Sequence, residues 1–123
     1  MSERVKEIHH KGKRIVYCDL SNAKGDEIRE TTNLVDKTII DKGTRDQLFL
    51  VNIKDCLIDR DALTTLKESS IRIRPYLKAS ASFGLTGLKS MILNIINKFT
   101  NLGMTAHPDM EKAKDYLAAQ YDK

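Results

Sequence analysis

The feature that most constrains the fold of this chain is the junction at residues 78–88, where a strand-like segment gives way to a helix-like one. Small and aromatic residues lead up to Gly84, and Gly87 follows three positions later. Apolar residues then recur at spacings of three and four, at Leu88, Met91, Ile92, Ile95, Ile96 and Phe99. This spacing places the six side chains on one face of a helix. The junction therefore predicts a strand that turns at glycine and continues as an amphipathic helix.

The remaining chain alternates between strand-like and helix-like patterns. Strands are predicted at residues 5–9, 14–19, 48–53, 77–83 and 104–107. The first two form a hairpin, and a helical pattern follows each of the other strands and the end of the hairpin. Such alternation is typical of a mostly parallel sheet with crossover helices. The 123 residues are therefore predicted to form a single α/β domain over residues 1–123, with four or five strands, an N-terminal hairpin and four helices.

Local signals mark the ends of several of these elements. Gly43 is placed to end the first helix in a left-handed conformation, and Asp59 is placed to cap the second. Pro75 ends that second helix, because the residue before a proline avoids the helical region. Asp109 opens the last helix together with the preceding proline. The nearly continuous apolar run at residues 48–53 predicts a strand buried on both faces.

Composition argues against several classes of protein. No apolar run approaches the roughly 18 residues of a membrane span, and the first residues lack the pattern of a signal peptide, so we expect a cytoplasmic protein without a transmembrane segment. The formal net charge is +4, with basic residues spread among acids along most of the chain. Only Arg72, Arg74 and Lys78 cluster, which favours a solvated helix end over a nucleic-acid interface.

The cysteines and histidines do not form a recognisable metal or catalytic motif. Cys18 and Cys56 are predicted to be reduced thiols, since no Cys-x-x-Cys occurs, although both follow predicted strands and could form a redox pair. His9 and His10 alternate across a strand and point to opposite faces. An enzyme could be assembled from Cys56 and His107, but nothing in the sequence fixes their separation. We therefore expect no catalytic residue, no cofactor and no metal.

The turn at Gly84 is a candidate anion site comprising Gly84, Thr86, Gly87 and Lys89. If Thr86 caps the helix, Lys89 occupies the third helical position, where a capping box has Glu or Gln. A lysine there opposes the helix dipole, and a bound anion would offset this cost by accepting hydrogen bonds from the free backbone N–H groups. The alternative is a tight turn beside an exposed lysine.

Leu93 is a candidate docking residue, because it lies outside the apolar stripe of its helix. A leucine on the outer face would suit contact with a partner protein or with a second copy of the chain. The alternative is a single exposed leucine, which is ordinary on protein surfaces.

Three segments resemble a known family. Residues 14–21, 75–81 and 84–88 are similar to the small bacterial STAS/SEC14-like proteins, which are related in fold to the anti-sigma-factor antagonists. The resemblance covers nearly the whole chain and its order of elements. It implies a STAS-like domain whose sheet has four or five strands. It also implies a role in protein interaction or ligand sensing without catalytic activity.

The resemblance carries one departure that bears on function. Anti-sigma-factor antagonists have an Asp-Ser-Ser-Gly-Leu pattern with a phosphorylatable serine, and the matching segment here is Asp59-Arg60-Asp61-Ala62-Leu63. The phosphoacceptor position thus falls on Asp61, which a serine kinase cannot modify. Asp59 and Asp61 either stabilise the helix start alone or also form a permanently charged docking surface.

The resulting hypothesis is a non-enzymatic regulatory or protein-interaction module of STAS type that lacks the usual serine. The alternative is a small-ligand sensor that binds an anion or a lipid-like molecule near residues 84–89. An apolar cavity under the helix at residues 86–99 would favour the ligand sensor. A packed core with an exposed apolar patch would favour docking of a protein, which includes a homodimer.

Overall fold

Five strands form one sheet in the computed structural model, which describes residues 4–85 and 89–123 and omits the side chain of Lys89. The elements in chain order are β1 (Val5–His10), β2 (Lys13–Asp19), α1 (Asp26–Lys42), β3 (Gln47–Asn52), α2 (Arg60–Ile73), β4 (Leu77–Phe83), α3 (Lys89–Thr100), β5 (Thr105–His107) and α4 (Met110–Tyr121). A short 3₁₀ turn, Arg74–Tyr76, joins α2 to β4. The predicted order of strands and helices is confirmed.

The strands lie side by side in the order in which they occur in the chain. β1 and β2 are antiparallel, with Val5 opposite Cys18, and the three later pairings are parallel. Each connection from β2 to β5 moves one strand in the same direction across the sheet. Right-handed crossovers therefore place α1, α2 and α3 on the same face. α4 follows the last strand and packs on the opposite face, against β3 and β4. The predicted α/β class, mostly parallel sheet and N-terminal hairpin are confirmed.

The sheet is covered on both faces, and each face has its own core. On the α1–α3 face, Val16, Cys18, Phe49 and Val51 pack among residues of α1 and α2. On the α4 face, the alternating residues Ile15, Tyr17, Leu48 and Leu50 pack against Ala113 and Leu117. Side chains alternate along a strand, so both sets of β3 residues are buried. This explains the continuous apolar run that predicted a doubly covered strand.

The predicted caps of three helix ends are also confirmed. Gly43 ends α1 with a φ of 76°, and its N–H donates to the Ile39 carbonyl. Asp59 and Asp109 cap α2 and α4, each accepting a hydrogen bond of 2.8 Å from a backbone N–H three residues on. α2 ends at Ile73, before Pro75 as predicted, but the predicted reason is wrong. Arg74 keeps helical dihedral angles (φ −47°, ψ −44°), and the chain continues through Pro75 as the 3₁₀ turn.

The predicted orientation of α3 is only partly right: Ile92 and Ile96 lie on the inner side as expected, but the helix is rotated. Met91, Ile95 and Phe99 were expected to face the core, but they are 57%, 37% and 66% exposed. Leu93 was expected on the outer face, but it is only 7% exposed. The buried face of α3 consists of Leu93, Ile96 and Thr100.

Polar contacts on α3 explain this rotation. The Asn97 amide group donates a hydrogen bond to the Met104 carbonyl at 2.8 Å and accepts one from the Met104 N–H at 3.0 Å. The Thr100 carbonyl accepts a hydrogen bond of 3.2 Å from Arg74. The apolar residues of α3 cover more than one stripe, so the apolar pattern alone does not select the buried face. These hydrogen bonds to the adjoining loop and to the 3₁₀ turn favour the observed rotation.

Candidate functional site

A small apolar cavity lies between α3, α2 and the sheet. Its volume is about 60 Å³, and its walls include Cys18, Phe49 and Val51 from the sheet and Leu66, Ile92 and Ile96 from the helices. Two serines of α2 also line it, but both hydroxyls have protein partners. Ser70 donates to the Leu66 carbonyl at 2.8 Å, and Ser69 donates to the Asp36 carboxylate. The cavity therefore suits apolar rather than polar contents.

The outer side of α3 presents an exposed apolar surface. Met91, Ile95 and Phe99 follow one another at four-residue intervals and form a stripe along the helix. We call this stripe, together with Ile71 of α2, the outer patch. Ile71 is 55% exposed.

Two basic residues, one in α2 and one at the start of the 3₁₀ turn, place Ile71 beside α3. The Lys67 ammonium lies 4.8 Å from the centre of the Phe99 ring, and Arg74 bonds the Thr100 carbonyl. Ile71 lies between Lys67 and Arg74 on the same stripe of α2, since these residues are three and four positions apart. The outer patch therefore extends across two helices packed side by side.

Leu93 does not belong to this surface. Its side chain packs in the core beneath α1–α3 and lines the apolar cavity. The docking role predicted for Leu93 depended on its being exposed. The exposed residues of α3 are instead Met91, Ile95 and Phe99, so they are the better candidates for docking. The sequence contained a signal for the outer patch, because apolar residues occupy more of α3 than a single buried stripe requires.

The two aspartates at the start of α2 are both exposed. Asp59 caps the helix, and Asp61 lies in its first turn, where a negative charge interacts favourably with the helix dipole. Docking at Asp59 and Asp61 stays a prediction.

The structure gives Gly84 a packing role. Its φ is +90°, and a Cβ placed on it would lie 2.8 Å from both the backbone N and the Cβ of Lys54. Only glycine fits so close to the Lys54 backbone. The other residues of the predicted anion site are Thr86 and Gly87, which lie outside the described residues, and Lys89, which is placed only by its backbone as the first residue of α3. Anion binding at this turn stays a prediction.

The thiols and His107 lie on different faces of the sheet. Cys18 and Cys56 are both buried on the α1–α3 side, and neither forms a disulfide. Burial raises the pKa of Cys18, and the neighbouring Asp19 and Cys56 raise it further, so this thiol is a poor nucleophile. The His107 ring lies 4.8 Å from the ring of Tyr116, on the α4 side. The structure therefore does not bring Cys56 and His107 together.

His107 makes stability depend on pH. Burial lowers its pKa below the ordinary value of 6.5, and Thr105 Oγ1 lies 2.8 Å from its Nε2. The imidazole of His107 binds a proton more readily in the unfolded chain than in the folded one. The folded state therefore has its full stability above pH 6.5 and loses part of it as the pH falls towards the folded pKa. We expect the free energy of unfolding to fall more steeply below pH 6.5 in the wild type than in His107→Gln. Parallel urea titrations at several pH values would measure this, and identical slopes would contradict it.

The described part of the chain has neither a metal-binding cluster nor a membrane-spanning helix. In residues 4–85 and 89–123, no group of three or more His, Cys, Asp or Glu side chains is arranged to hold a metal ion. Within the same ranges, no helix combines the length and apolar character needed to cross a bilayer.

Two solved structures share this architecture along nearly the whole chain. An uncharacterized protein of the DUF3478 family with a SpoIIAA-like fold, from Shewanella loihica PV-4, is 15% identical, with a TM-score of 0.67 over 92% of this chain and 91% of that one. An anti-sigma-factor antagonist (STAS) domain protein from Planctomyces limnophilus is 9% identical, with a TM-score of 0.55 over 93% of this chain and 97% of that one.

These likenesses show that the chain has a STAS-like α/β fold, as the sequence resemblance predicted. No protein-family model matches the chain, and no curated protein matches it. At such low identities the structural comparisons speak to the fold, while function has to be argued from the residues of this chain.

Proposed function

We propose that residues 1–123 form a single STAS-like domain that acts in the cytoplasm as a non-enzymatic regulatory module by docking a protein partner on the outer patch. This proposal rests on the observation that α3 has apolar side chains on both its buried and its exposed side. Its inner face covers the cavity and its outer face exposes Met91, Ile95 and Phe99. Adjacent apolar side chains left exposed on a helix often mark an interaction site, so the outer face is expected to have a partner.

The composition of the outer patch supports docking. Phenylalanine and methionine are enriched at protein interfaces, and a central aromatic residue often supplies much of the binding energy. Phe99 is the aromatic residue of the outer patch, with the Lys67 ammonium over its ring and Arg74 bonded to the next residue. The permanently charged Asp59 and Asp61 at the start of α2 are proposed as a second contact. In this proposal docking is not switched by a kinase at the Asp61 position.

Photo-crosslinking in native lysate tests the docking surface. A photoreactive phenylalanine replaces Ile95, and the control replaces Ile40, which is equally exposed at 37% on α1. We expect a discrete protein adduct from position 95 that falls by about 10-fold or more when Phe99→Asp is added, because hot-spot truncation costs about 2 kcal/mol. An adduct with twice the mass of the chain would identify a homodimer.

The controls make this test decisive. Phe99→Asp has to keep the thermal unfolding profile of the wild type, since Phe99 is exposed. The docking proposal would be contradicted if positions 40 and 95 gave the same adducts. It would also be contradicted if the adducts from position 95 did not respond to Phe99→Asp.

The cavity favours a second candidate function, the sensing of a small lipid-like ligand. An apolar cavity beneath α3 is the structural feature that distinguishes a ligand sensor from a simple docking module. A ligand there would touch Leu93 and Ile96 on the inner side of the helix that carries the outer patch. Occupancy and docking would then act on the same element.

Filling the cavity tests this second function. Ser70→Leu adds carbon atoms to a cavity of about 60 Å³ and removes a hydroxyl that bonds only the carbonyl of its own helix. We expect a gain of about 1 kcal/mol in the free energy of unfolding, since cavities cost about 24 cal/mol per Å³. Xenon, a probe small enough for this volume, should raise the melting temperature of the wild type but not of Ser70→Leu. A destabilised variant together with no xenon shift in the wild type would count against a ligand cavity.

A further inference from the structure

The excess of basic over acidic residues in this chain comes from one part of its sequence. Residues 62–108 contain six Lys or Arg residues and a single acid, Glu68, whereas the whole chain has 21 basic and 17 acidic residues. The rest of the chain therefore has no excess of basic residues. The six are Lys67, Arg72, Arg74, Lys78, Lys89 and Lys98.

Three of these basic residues surround the outer patch. Lys67 lies over the Phe99 ring, Arg74 reaches the end of α3, and the exposed Lys98 precedes Phe99 in the chain. Among the ion pairs found in the described part of the chain, none involves these three residues. Arg72 differs, because it pairs with Asp36 of α1. The charge at the margin of the outer patch is thus not neutralised within these residues.

We infer that the outer patch binds an acidic, amphipathic segment of a partner protein; this inference rests on the proposed docking function. The apolar centre would accept apolar side chains, and Lys67, Arg74 and Lys98 would face carboxylates. A central apolar area with a charged margin is the usual anatomy of a protein interface. Complementary charge at the margin chiefly sets the choice of partner and the rate of association.

Charge disfavours a second copy of the chain as the occupant. In a two-fold dimer through this patch each residue meets the same surface of the second copy, so basic residues would oppose basic residues. Basic residues would also suit an anionic membrane, but helices that lie in a bilayer surface insert a long continuous apolar face, whereas the outer patch has four exposed apolar side chains on two helices. An acidic protein segment matches the charge of the margin and the small size of the apolar centre.

Two helical peptides with the same leucine pattern test the inference, one with glutamates and one with lysines at the remaining positions. Fluorescence anisotropy should give at least about 10-fold tighter binding of the acidic peptide at low salt, with several-fold weakening as the ionic strength approaches 0.3 M. The double variant Lys67→Glu/Lys98→Glu should reverse the preference, and Phe99→Asp should weaken both peptides. Lys24→Glu/Lys42→Glu changes the net charge equally but lies at the two ends of α1, so it should keep the preference for the acidic peptide.

Several outcomes would overturn the inference. Equal affinity for both peptides, or an unchanged preference in Lys67→Glu/Lys98→Glu, would show that the basic residues do not select the partner. Tighter binding to phosphatidylglycerol vesicles than to the acidic peptide, lost in the same double variant, would indicate a membrane surface instead. If Phe99-dependent crosslinks from position 95 persist in that variant, the docking function stands and only the acidic partner is wrong. If the crosslinks from position 95 no longer depend on Phe99, the docking function itself is wrong.

Discussion

Arg72→Met is expected to lower the free energy of unfolding by about 3 kcal/mol, because it leaves a buried carboxylate without its counter-ion. Asp36 faces α2 from the buried side of α1, and Arg72 approaches one of its oxygens with Nε at 2.8 Å and Nη2 at 2.7 Å. Ser69 donates to the other oxygen. After the substitution, only the Ser69 hydroxyl of these partners remains.

The converse substitution is expected to cost less. Asp36→Asn keeps an oxygen for Ser69, and the partly exposed Arg72 can turn towards water, so the loss should be about 1 kcal/mol. The double variant Asp36→Asn/Arg72→Met should be more stable than Arg72→Met alone. Urea unfolding of the four proteins followed by circular dichroism measures all three differences. Equal costs for the two single variants would show that burial of the Asp36 charge is not the dominant effect.

Gly84→Ala is expected to destabilise the protein by about 3 kcal/mol or more. The added Cβ would lie within 2.9 Å of three Lys54 atoms, two of them backbone atoms, and the alanine would also have to adopt a φ of +90°. Overpacking costs about 1–3 kcal/mol, and an unfavourable backbone conformation adds a comparable amount. The junction between β4 and α3 would have to move away from the loop after β3.

Gly103 provides the matched control for this variant. It also has a positive φ, +70°, but a Cβ placed on it would meet nothing within 4 Å. Gly103→Ala should therefore show the backbone cost alone, about 1 kcal/mol. Thermal and urea unfolding of both variants separate the two contributions. If they are equally destabilised, the contact between Gly84 and Lys54 does not limit the substitution.

Much of the fold could be predicted from the sequence because it follows from local rules. The left-handed Gly43, the caps Asp59 and Asp109, and the end of α2 before Pro75 each depend on a few neighbouring residues. The doubly buried β3 follows from composition alone, because both of its alternating sets of side chains are apolar.

The candidate site was predicted less well. The turn at Gly84 was recognised, but its cause is Lys54, a residue 30 positions earlier that the fold brings into contact. The buried partnership of Asp36 and Arg72 joins positions 36 residues apart and leaves no local signature. The outer patch was missed because the apolar residues of α3 fit more than one buried face.

The sequence by itself determined the order of the elements, their approximate limits and the α/β class, because backbone conformation responds to the side chains within one or two turns of the chain. Only the tertiary structure decided which face of α3 is buried, since Asn97 bonds Met104 in the loop before β5 and Arg74 of the 3₁₀ turn bonds the Thr100 carbonyl. That rotation moves Leu93 into the core and exposes Met91, Ile95 and Phe99. The candidate functional surface thus depends on long-range contacts that hydrophobic periodicity does not encode.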